Sequence, residues 1–182
     1  MISHSHKFLF IQIPKTATSS IHGALSPYME YDYSKICRHS KYSEAADFYP
    51  ESKNYFKFAF VRNPWDRLLS FYFFKKTDRA KIKIPDNLSF KDFILTEACQ
   101  TKFNQYSYID GFDVNFFIGR FENLQEDFDK ICETIDIPKQ KLPLGNATEH
   151  NHYTEYYNKE TRRLVSEKYA KDIEYFGYEF GD

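Results

Sequence analysis

The sequence predicts an α/β fold in which a parallel β-sheet is flanked by helices, and three observations lead to it. Apolar runs typical of buried strands alternate with helical patterns along the chain. Two of these strands run into a short polar loop followed at once by a helix. No repeat or linker interrupts the pattern, so we expect residues 1–182 to form a single domain.

The first strand–loop–helix unit begins with the nearly continuous apolar run Lys7–Ile13, whose aromatic and β-branched residues are typical of a buried parallel strand. A polar loop follows it. Ile21, Ala24 and Leu25 then recur at helical spacing, and Pro27 is expected to end that helix.

The second unit begins with the strand Phe56–Val61. Asn63 is a good N-cap, and Pro64 suits the first helical position. The helix is expected to bury Leu68, Leu69 and Tyr72.

Further elements are predicted with less detail. Val114–Ile118 reads as a strand, and Asn123–Glu126 reads as a capping box that opens a helix. Asn158 is expected to cap a last helix whose apolar stripe runs on to Ile173.

The composition argues against several classes of protein. Lys plus Arg is 25 and Asp plus Glu is 26, so the net charge of −1 argues against a non-specific nucleic-acid binder. Three widely spaced cysteines indicate reduced thiols rather than a disulfide scaffold or a zinc site. No apolar run is long enough for a membrane helix, and the polar Met1–Lys7 is not a signal peptide. We therefore expect a cytoplasmic protein with no membrane segment.

Both polar loops carry groups that bind anions. The first offers Lys15 and four hydroxyls at a helix N-terminus, those of Thr16, Thr18, Ser19 and Ser20. The second offers Arg62 before a helix and Ser70 inside it. Because parallel strands end at one edge of a sheet, we expect the loops to form one pocket for a ligand with two anionic groups.

The sheet is P-loop-like, but the phosphate-loop motif G-x-x-x-x-G-K-S/T is not matched, since its glycines are missing. Two plainer interpretations stay open. Lys15 would then be a solvated loop lysine, and Arg62 would pair with Asp66 or a neighbour.

These residues carry a resemblance to a known family. The segment Ile13–Ser20 (IPKTATSS) resembles the 5′-phosphosulfate loop of sulfotransferases that use 3′-phosphoadenosine 5′-phosphosulfate (PAPS). Phe60–Tyr72 (FVRNPWDRLLSFY) resembles their 3′-phosphate motif, and Phe117–Leu124 and Asp172–Phe180 resemble later blocks. The branch it resembles is that of carbohydrate sulfotransferases related to the Golgi enzymes acting on chondroitin, dermatan and heparan, including the 2-O-type enzymes.

The resemblance implies a PAPS-dependent O-sulfotransferase that needs no metal and releases adenosine 3′,5′-bisphosphate. Its acceptor would be a saccharide or another small hydroxylated molecule. Residues 15–20, Ala17 included, would hold the phosphosulfate; Arg62 and Ser70 would hold the 3′-phosphate. Lys15 would also be catalytic, stabilising charge on the leaving oxygen.

The resemblance also places a catalytic histidine at His39, between the two anion motifs. Glu44 or a carboxylate of 47–51 is the alternative base. His22 is expected to pack or cap in the first helix, whereas His150 and His152 are expected to be solvated loop residues.

Several alternatives stay open. Arg120 and Glu122 either close the nucleotide pocket or pair with each other, and the tyrosines at 153, 156 and 157 either stack on a sugar or belong to the core. The chain lacks the membrane anchor and cysteine pattern of Golgi members, so we expect a minimal, soluble bacterial form. Two other functions are retained: a nucleotide-dependent phosphotransferase, and a non-catalytic protein that binds the nucleotide.

Overall fold

The structure, a computed structural model, describes residues 1–30, 37–96, 104–112, 115–143 and 150–182. The chain divides into two compact units, each built from two segments. Unit 1 comprises Met1–Val61 and Gln105–Asn146, and unit 2 comprises Arg62–Asn104 and Ala147–Asp182. The predicted α/β architecture is confirmed, and we describe each unit by itself.

The elements carry the following bounds. The strands are β1 (Ile2–Ser3), β2 (Phe8–Ile11), β3 (Phe56–Val61) and β4 (Phe116–Arg120). The helices are α1 (Thr18–Leu25), α2 (Tyr42–Phe48), α3 (Pro64–Lys76), α4 (Phe90–Leu95), α5 (Tyr106–Ile109), α6 (Leu124–Thr134), α7 (Lys159–Lys168) and α8 (Ala170–Phe176).

The sheet of unit 1 has the strand order β1-β2-β3-β4. Strands β2, β3 and β4 are parallel, with Phe10 opposite Phe58 and Ala59 opposite Ile118. Their carboxyl ends therefore lie at one edge, from which the loop after β2 leaves. The antiparallel β1 was not predicted, because two residues are too short to show a period.

The two faces of this sheet are covered differently. Phe8, Phe10, Phe58 and Phe60 alternate onto one face and form a buried core with α1 and α6. On the other face, the fully buried Lys57 directs its ammonium to the carbonyls of residues 53 and 55, and lies 6.0 Å from the ring of Tyr42 in α2. The helices thus enclose the sheet from both sides.

Gly119 in β4 is directly paired with Phe60, and the phenyl ring lies over it. A Cβ at position 119 would come within 2.5 to 2.8 Å of three ring carbons of Phe60, which is itself fully buried. We expect Gly119→Ala to lower the free energy of unfolding by about 1–3 kcal/mol, because overpacking of a dense core forces side chains off their rotamers. Urea unfolding measures it.

The matched control is Gly23→Ala in α1. Gly23 is exposed, and the nearest atom to an added Cβ is a Pro143 side-chain carbon at 4.0 Å. Alanine should raise stability there by about 0.5–1 kcal/mol, since glycine weakens a helix interior. If Gly119→Ala also left stability unchanged or raised it, the close ring–glycine contact would be contradicted.

Unit 2 is a helical unit with an aromatic core. The Asn63 side chain accepts the Trp65 N–H at 3.1 Å and so caps α3, as predicted. The core is formed by α3, α4 and α7 with the segment around Tyr153, and Leu68 and Leu69 are buried in it as predicted. Asn158 caps α7 through the Thr161 N–H, also as predicted.

Two predictions of helix termini differ in part from the structure. Asn123 is the N-cap residue of α6, as predicted, but its side chain makes no capping hydrogen bond. A 3₁₀ turn over 121–123 leads into the helix, and Asp127 accepts the Arg120 N–H at 2.8 Å. The last predicted helix is two helices, since the backbone at Tyr169 (φ −109°, ψ 24°) leaves the helical region and starts α8 afresh.

Some predictions lie partly outside the described residues: the start of the strand at 114, and Cys99. Cys37 and Cys132 carry free thiols, the first exposed and the second buried. Burial raises the pKa of Cys132 to about 11, with the charge of Asp129 adding to the effect. Among the described residues, no helix combines the length and apolar character that crossing a bilayer requires.

Candidate functional site

The loop after β2 leads from Gln12 to the start of α1 at Thr18. The Thr16 hydroxyl donates to the Ile13 carbonyl at 2.9 Å and closes the turn. Ala17 occupies the N-cap position, where its methyl group offers no acceptor to the first helical N–H groups. These N–H groups and the partial positive charge of the helix start suit an anion.

Two residues of this loop have left-handed backbone conformations although neither is glycine. Lys15 has φ 71° and Ala17 has φ 60°. Such residues cost about 1–2 kcal/mol each relative to right-handed conformations. Left-handed residues beside right-handed ones occur in backbone segments that present successive N–H groups to an anion. Strain of this kind is typical of binding sites.

His39 lies against the residue that precedes this loop. Its Nδ1 is 2.8 Å from the backbone carbonyl of Gln12. Because a carbonyl only accepts, Nδ1 must carry the proton, and the neutral ring then has its lone pair on Nε2. The geometry therefore selects the tautomer whose Nε2 can accept a proton.

The environment of His39 favours the neutral form. Burial of part of the ring holds its pKa below the ordinary 6.5. The hydrogen bond to Gln12 opposes this lowering of the pKa, and the guanidinium charge of Arg38 adds to it. At neutral pH the ring is thus unprotonated and competent as a base.

Arg38 is a site residue that the sequence did not single out. Its Nε donates to the Gln12 side-chain oxygen at 2.8 Å, and its Nη2 lies 3.4 Å from the Ser19 hydroxyl. Its charge also helps to hold the pKa of His22 below its usual value, after burial of that ring. The only signal in the sequence was its place beside His39. Unit 1 therefore brings the Lys15 loop, Arg38 and His39 together.

Glu44, the alternative base, has a structural task. Its carboxylate accepts the Lys41 backbone N–H at 3.1 Å at the start of α2. His22 lies within α1, half-buried, and its carbonyl accepts the N–H of Ser26 at the end of that helix. The Glu44 contact occupies its carboxylate at the start of α2, so His39 is the better candidate base of the two.

The second predicted anion motif lies in unit 2. Arg62 is 8% exposed, and its Nη2 and Nε lie 2.7 and 2.8 Å from Asp66 Oδ2. The ion pair that the sequence left open is thus formed. Ser70 is buried in the second turn of α3. The shared pocket of these residues and the Lys15 loop stays a prediction.

The backbone beside Arg62 is anchored within unit 2. The Asn63 side chain caps α3 and also donates to the Glu179 carbonyl at 2.8 Å. Asn63 is 1% exposed. The buried side-chain amide of Asn63 thus holds the backbone next to Arg62 in place.

The remaining candidates have mostly structural surroundings. Tyr153 is buried in the core of unit 2, and the Tyr157 hydroxyl donates to the Trp65 carbonyl at 2.8 Å. His152 is exposed, as expected, whereas His150 is half-buried and stacks on Phe73 with ring centroids 5.0 Å apart.

This chain resembles known proteins in sequence and in fold. The model of the sulfotransferase family matches residues 1–179. An uncharacterized protein of Archaeoglobus fulgidus is 31% identical over 104 residues, which cover 54% of this chain and 82% of that protein.

The fold also matches a solved structure. The crystal structure of mouse sulfotransferase SULT7A1 complexed with PAP superposes with a TM-score of 0.61, covering 94% of this chain and 86% of the mouse chain. Sequence identity is 13%, so the likeness concerns the fold.

Proposed function

Because this chain belongs to the sulfotransferase family, we propose that it transfers a sulfuryl group from PAPS to a hydroxyl group of a saccharide or another small acceptor. The observation that carries the proposal is the group of residues in unit 1. The loop that contains Lys15 has positive φ at Lys15 and Ala17 and leads into the start of α1, and His39, with its lone pair on Nε2, is hydrogen-bonded to Gln12 at the beginning of that loop.

The proposed reaction is an in-line displacement at sulfur. The acceptor hydroxyl gives its proton to His39 Nε2 and forms the new O–S bond. The bond between sulfur and the bridging oxygen breaks, and adenosine 3′,5′-bisphosphate leaves with an additional negative charge. Lys15 and the N–H groups of residues 16–19 would stabilise that charge electrostatically.

The nucleotide would be held through its second anionic group. We assign the 3′-phosphate to Arg62 and Ser70 in unit 2, whose residue types suit an anion. Asp66 keeps the guanidinium fork oriented by two short contacts. The mouse sulfotransferase whose fold this chain resembles is described as complexed with PAP, which supports PAPS as the sulfuryl donor.

For the acceptor, we propose a carbohydrate. Support comes from the resemblance of this chain's motifs to those of the chondroitin, dermatan and heparan branch, which places a catalytic histidine at His39. The Nε2 of this residue is the atom that would meet the acceptor hydroxyl.

Ligand binding followed by transfer tests the function. Adenosine 3′,5′-bisphosphate should raise the melting temperature without Mg²⁺, and ATP should do so much less, because only a ligand of the native state shifts unfolding. Labelled PAPS with a panel of saccharides should then yield labelled sulfate esters. Stabilisation by Mg²⁺–ATP alone would favour a phosphotransferase, and bisphosphate binding without transfer to any acceptor would favour a binding protein.

The 3′-phosphate assignment gives a separate prediction. We expect Arg62→Ala to weaken binding of adenosine 3′,5′-bisphosphate by about 1.5–3 kcal/mol, the range for hydrogen bonds to charged groups. Adenosine 5′-phosphate, which lacks the 3′-phosphate, should bind the variant and the wild type alike. Titration calorimetry with both nucleotides measures the difference.

Arg163→Ala is the matched control, because Arg163 also pairs with a carboxylate one helical turn away, that of Glu167, but is exposed. It should leave both affinities unchanged. An Arg62→Ala protein that still prefers the bisphosphate as strongly as the wild type does would refute the assignment.

A further inference from the structure

The short segment 37–40, which carries His39, is attached to the rest of unit 1 chiefly through one residue. Gln12 accepts His39 Nδ1–H on its backbone carbonyl and Arg38 Nε–H on its side-chain oxygen, both at 2.8 Å. A weaker contact of 3.4 Å joins Arg38 to Ser19. Gln12 directly follows β2 and leads into the Lys15 loop, so the proposed base and the anion loop share this anchor.

A glutamine side chain at position 12 lowers the stability of the fold. The residue is 1% exposed, and its Nε2 has no hydrogen-bond partner among the described residues. A buried N–H without a partner costs free energy that an apolar side chain of the same size would avoid. The Oε1 contact with Arg38 is the interaction that an apolar residue could not make. Because the guanidinium only donates, this contact also fixes which end of the amide is oxygen.

We propose that Gln12 and Arg38 are positioning residues for His39: the Gln12 side chain holds Arg38, and this contact keeps the segment 37–40 where the Gln12 carbonyl can lock the base in its Nδ1–H tautomer. The inference rests on the proposed function, in which His39 takes the acceptor proton. Neither residue needs to touch the acceptor.

Arg38 has a second effect on the base through its charge. Its guanidinium disfavours a second positive charge on the neighbouring imidazole. On α1, the ring of His22 is subject to the same guanidinium charge. Release of Arg38 from Gln12 should mix the tautomers of His39. Its effects on the pKa of His39 oppose each other, because loss of the Arg38 charge raises the pKa and loss of the Gln12 hydrogen bond lowers it.

The test compares Gln12→Met with Gln12→Glu by nitrogen NMR of the histidine rings, with His39→Gln used to assign the signals. Methionine fills the same space without an acceptor, so Gln12→Met should fold with an unchanged or higher melting temperature. It should nevertheless lose the single Nδ1–H tautomer, and turnover with labelled PAPS should fall about tenfold or more, as when a supporting hydrogen bond to a functional histidine is removed. Glutamate retains an oxygen for Arg38 and should keep the tautomer.

Arg38→Met changes the other, exposed partner of the contact and should cause the same loss of the Nδ1–H tautomer. The double variant should lose no more than Gln12→Met alone, since the two residues act through one contact. Gln140→Met is the matched control, because the side chain of this half-buried glutamine is hydrogen-bonded within unit 1, to the Ala24 carbonyl, away from His39. Its His39 signals should equal those of the wild type.

If Gln12 only fills space, the opposite result is expected. Gln12→Met should then keep the Nδ1–H tautomer and turnover, and Gln12→Glu should lose them. An unchanged tautomer in Gln12→Met and Arg38→Met would overturn the inference. Failure of the proposed function appears elsewhere, as a wild-type protein that neither binds the bisphosphate nor transfers sulfate. The NMR measurement needs no turnover and so remains decisive in that case.

Discussion

Lys15→Ala is expected to lower turnover by about 10²-fold or more, the scale of losing one donor to a charge that develops in the transition state. In the proposed reaction, the ammonium stabilises the leaving oxygen, whose negative charge grows as the S–O bond breaks. Binding of adenosine 3′,5′-bisphosphate should weaken much less, because the loop N–H groups remain. Single-turnover rates and bisphosphate affinity separate the two effects.

Lys7→Ala is the matched control for this variant. Lys7 stands before β2 as Lys15 stands after it, and its backbone is also left-handed, with φ 51°. Loss of a lysine with similar backbone strain at the opposite end of the strand should leave turnover unchanged. Near-normal turnover in Lys15→Ala, or an equal loss in Lys7→Ala, would exclude the catalytic role.

His39→Ala is expected to reduce turnover by about 10²-fold or more, within the range for general-base catalysis, while bisphosphate affinity stays nearly intact. In the wild type, the rate should rise with pH as the ring loses its proton, since only neutral imidazole accepts one. Because burial holds the pKa of His39 below 6.5, the midpoint of that rise in the free enzyme should lie below 6.5. The profile of kcat/KM against pH measures it.

His152→Ala serves as the control, since this exposed histidine bonds the Thr154 side chain in unit 2. Its pH profile should match the wild type. If the acidic limb persisted in His39→Ala, a carboxylate such as Glu44 would be the base instead. If bisphosphate affinity collapsed, His39 would belong to the nucleotide site.

The parts of the fold that sequence reasoning predicts well are those governed by local rules. The strand Phe56–Val61 and the cap at Asn63 agree with the structure to the residue, because an apolar run and an Asn-Pro pair act over a few positions. The motif at Asn123 predicts the start of α6 correctly, but the capping hydrogen bond of its side chain is not formed. Asp127 accepts the N–H of Arg120, a contact that lies outside the four-residue window of the motif.

The site shows the same division between local and distant interactions. The types of residue in the Lys15 loop were apparent from the sequence, and so was the position of His39. The contacts of Arg38 and His39 with Gln12 cross 26 and 27 residues of chain, and no short-range pattern reports them. The left-handed backbone at Ala17 was equally hidden, because alanine gives no sign of it.

The two left-handed residues of the anion loop bear on how such loops are found in genomes. Glycine-rich signatures detect loops in which the backbone reaches these conformations without steric cost. Here Lys15 and Ala17 adopt them although both carry a side chain. The free-energy cost of shaping the loop is therefore part of folding and precedes the binding of any anion. A search for glycine-rich motifs therefore does not detect this loop. The loop is instead marked by what surrounds it: a buried strand, a lysine, a run of hydroxyls and a helix start.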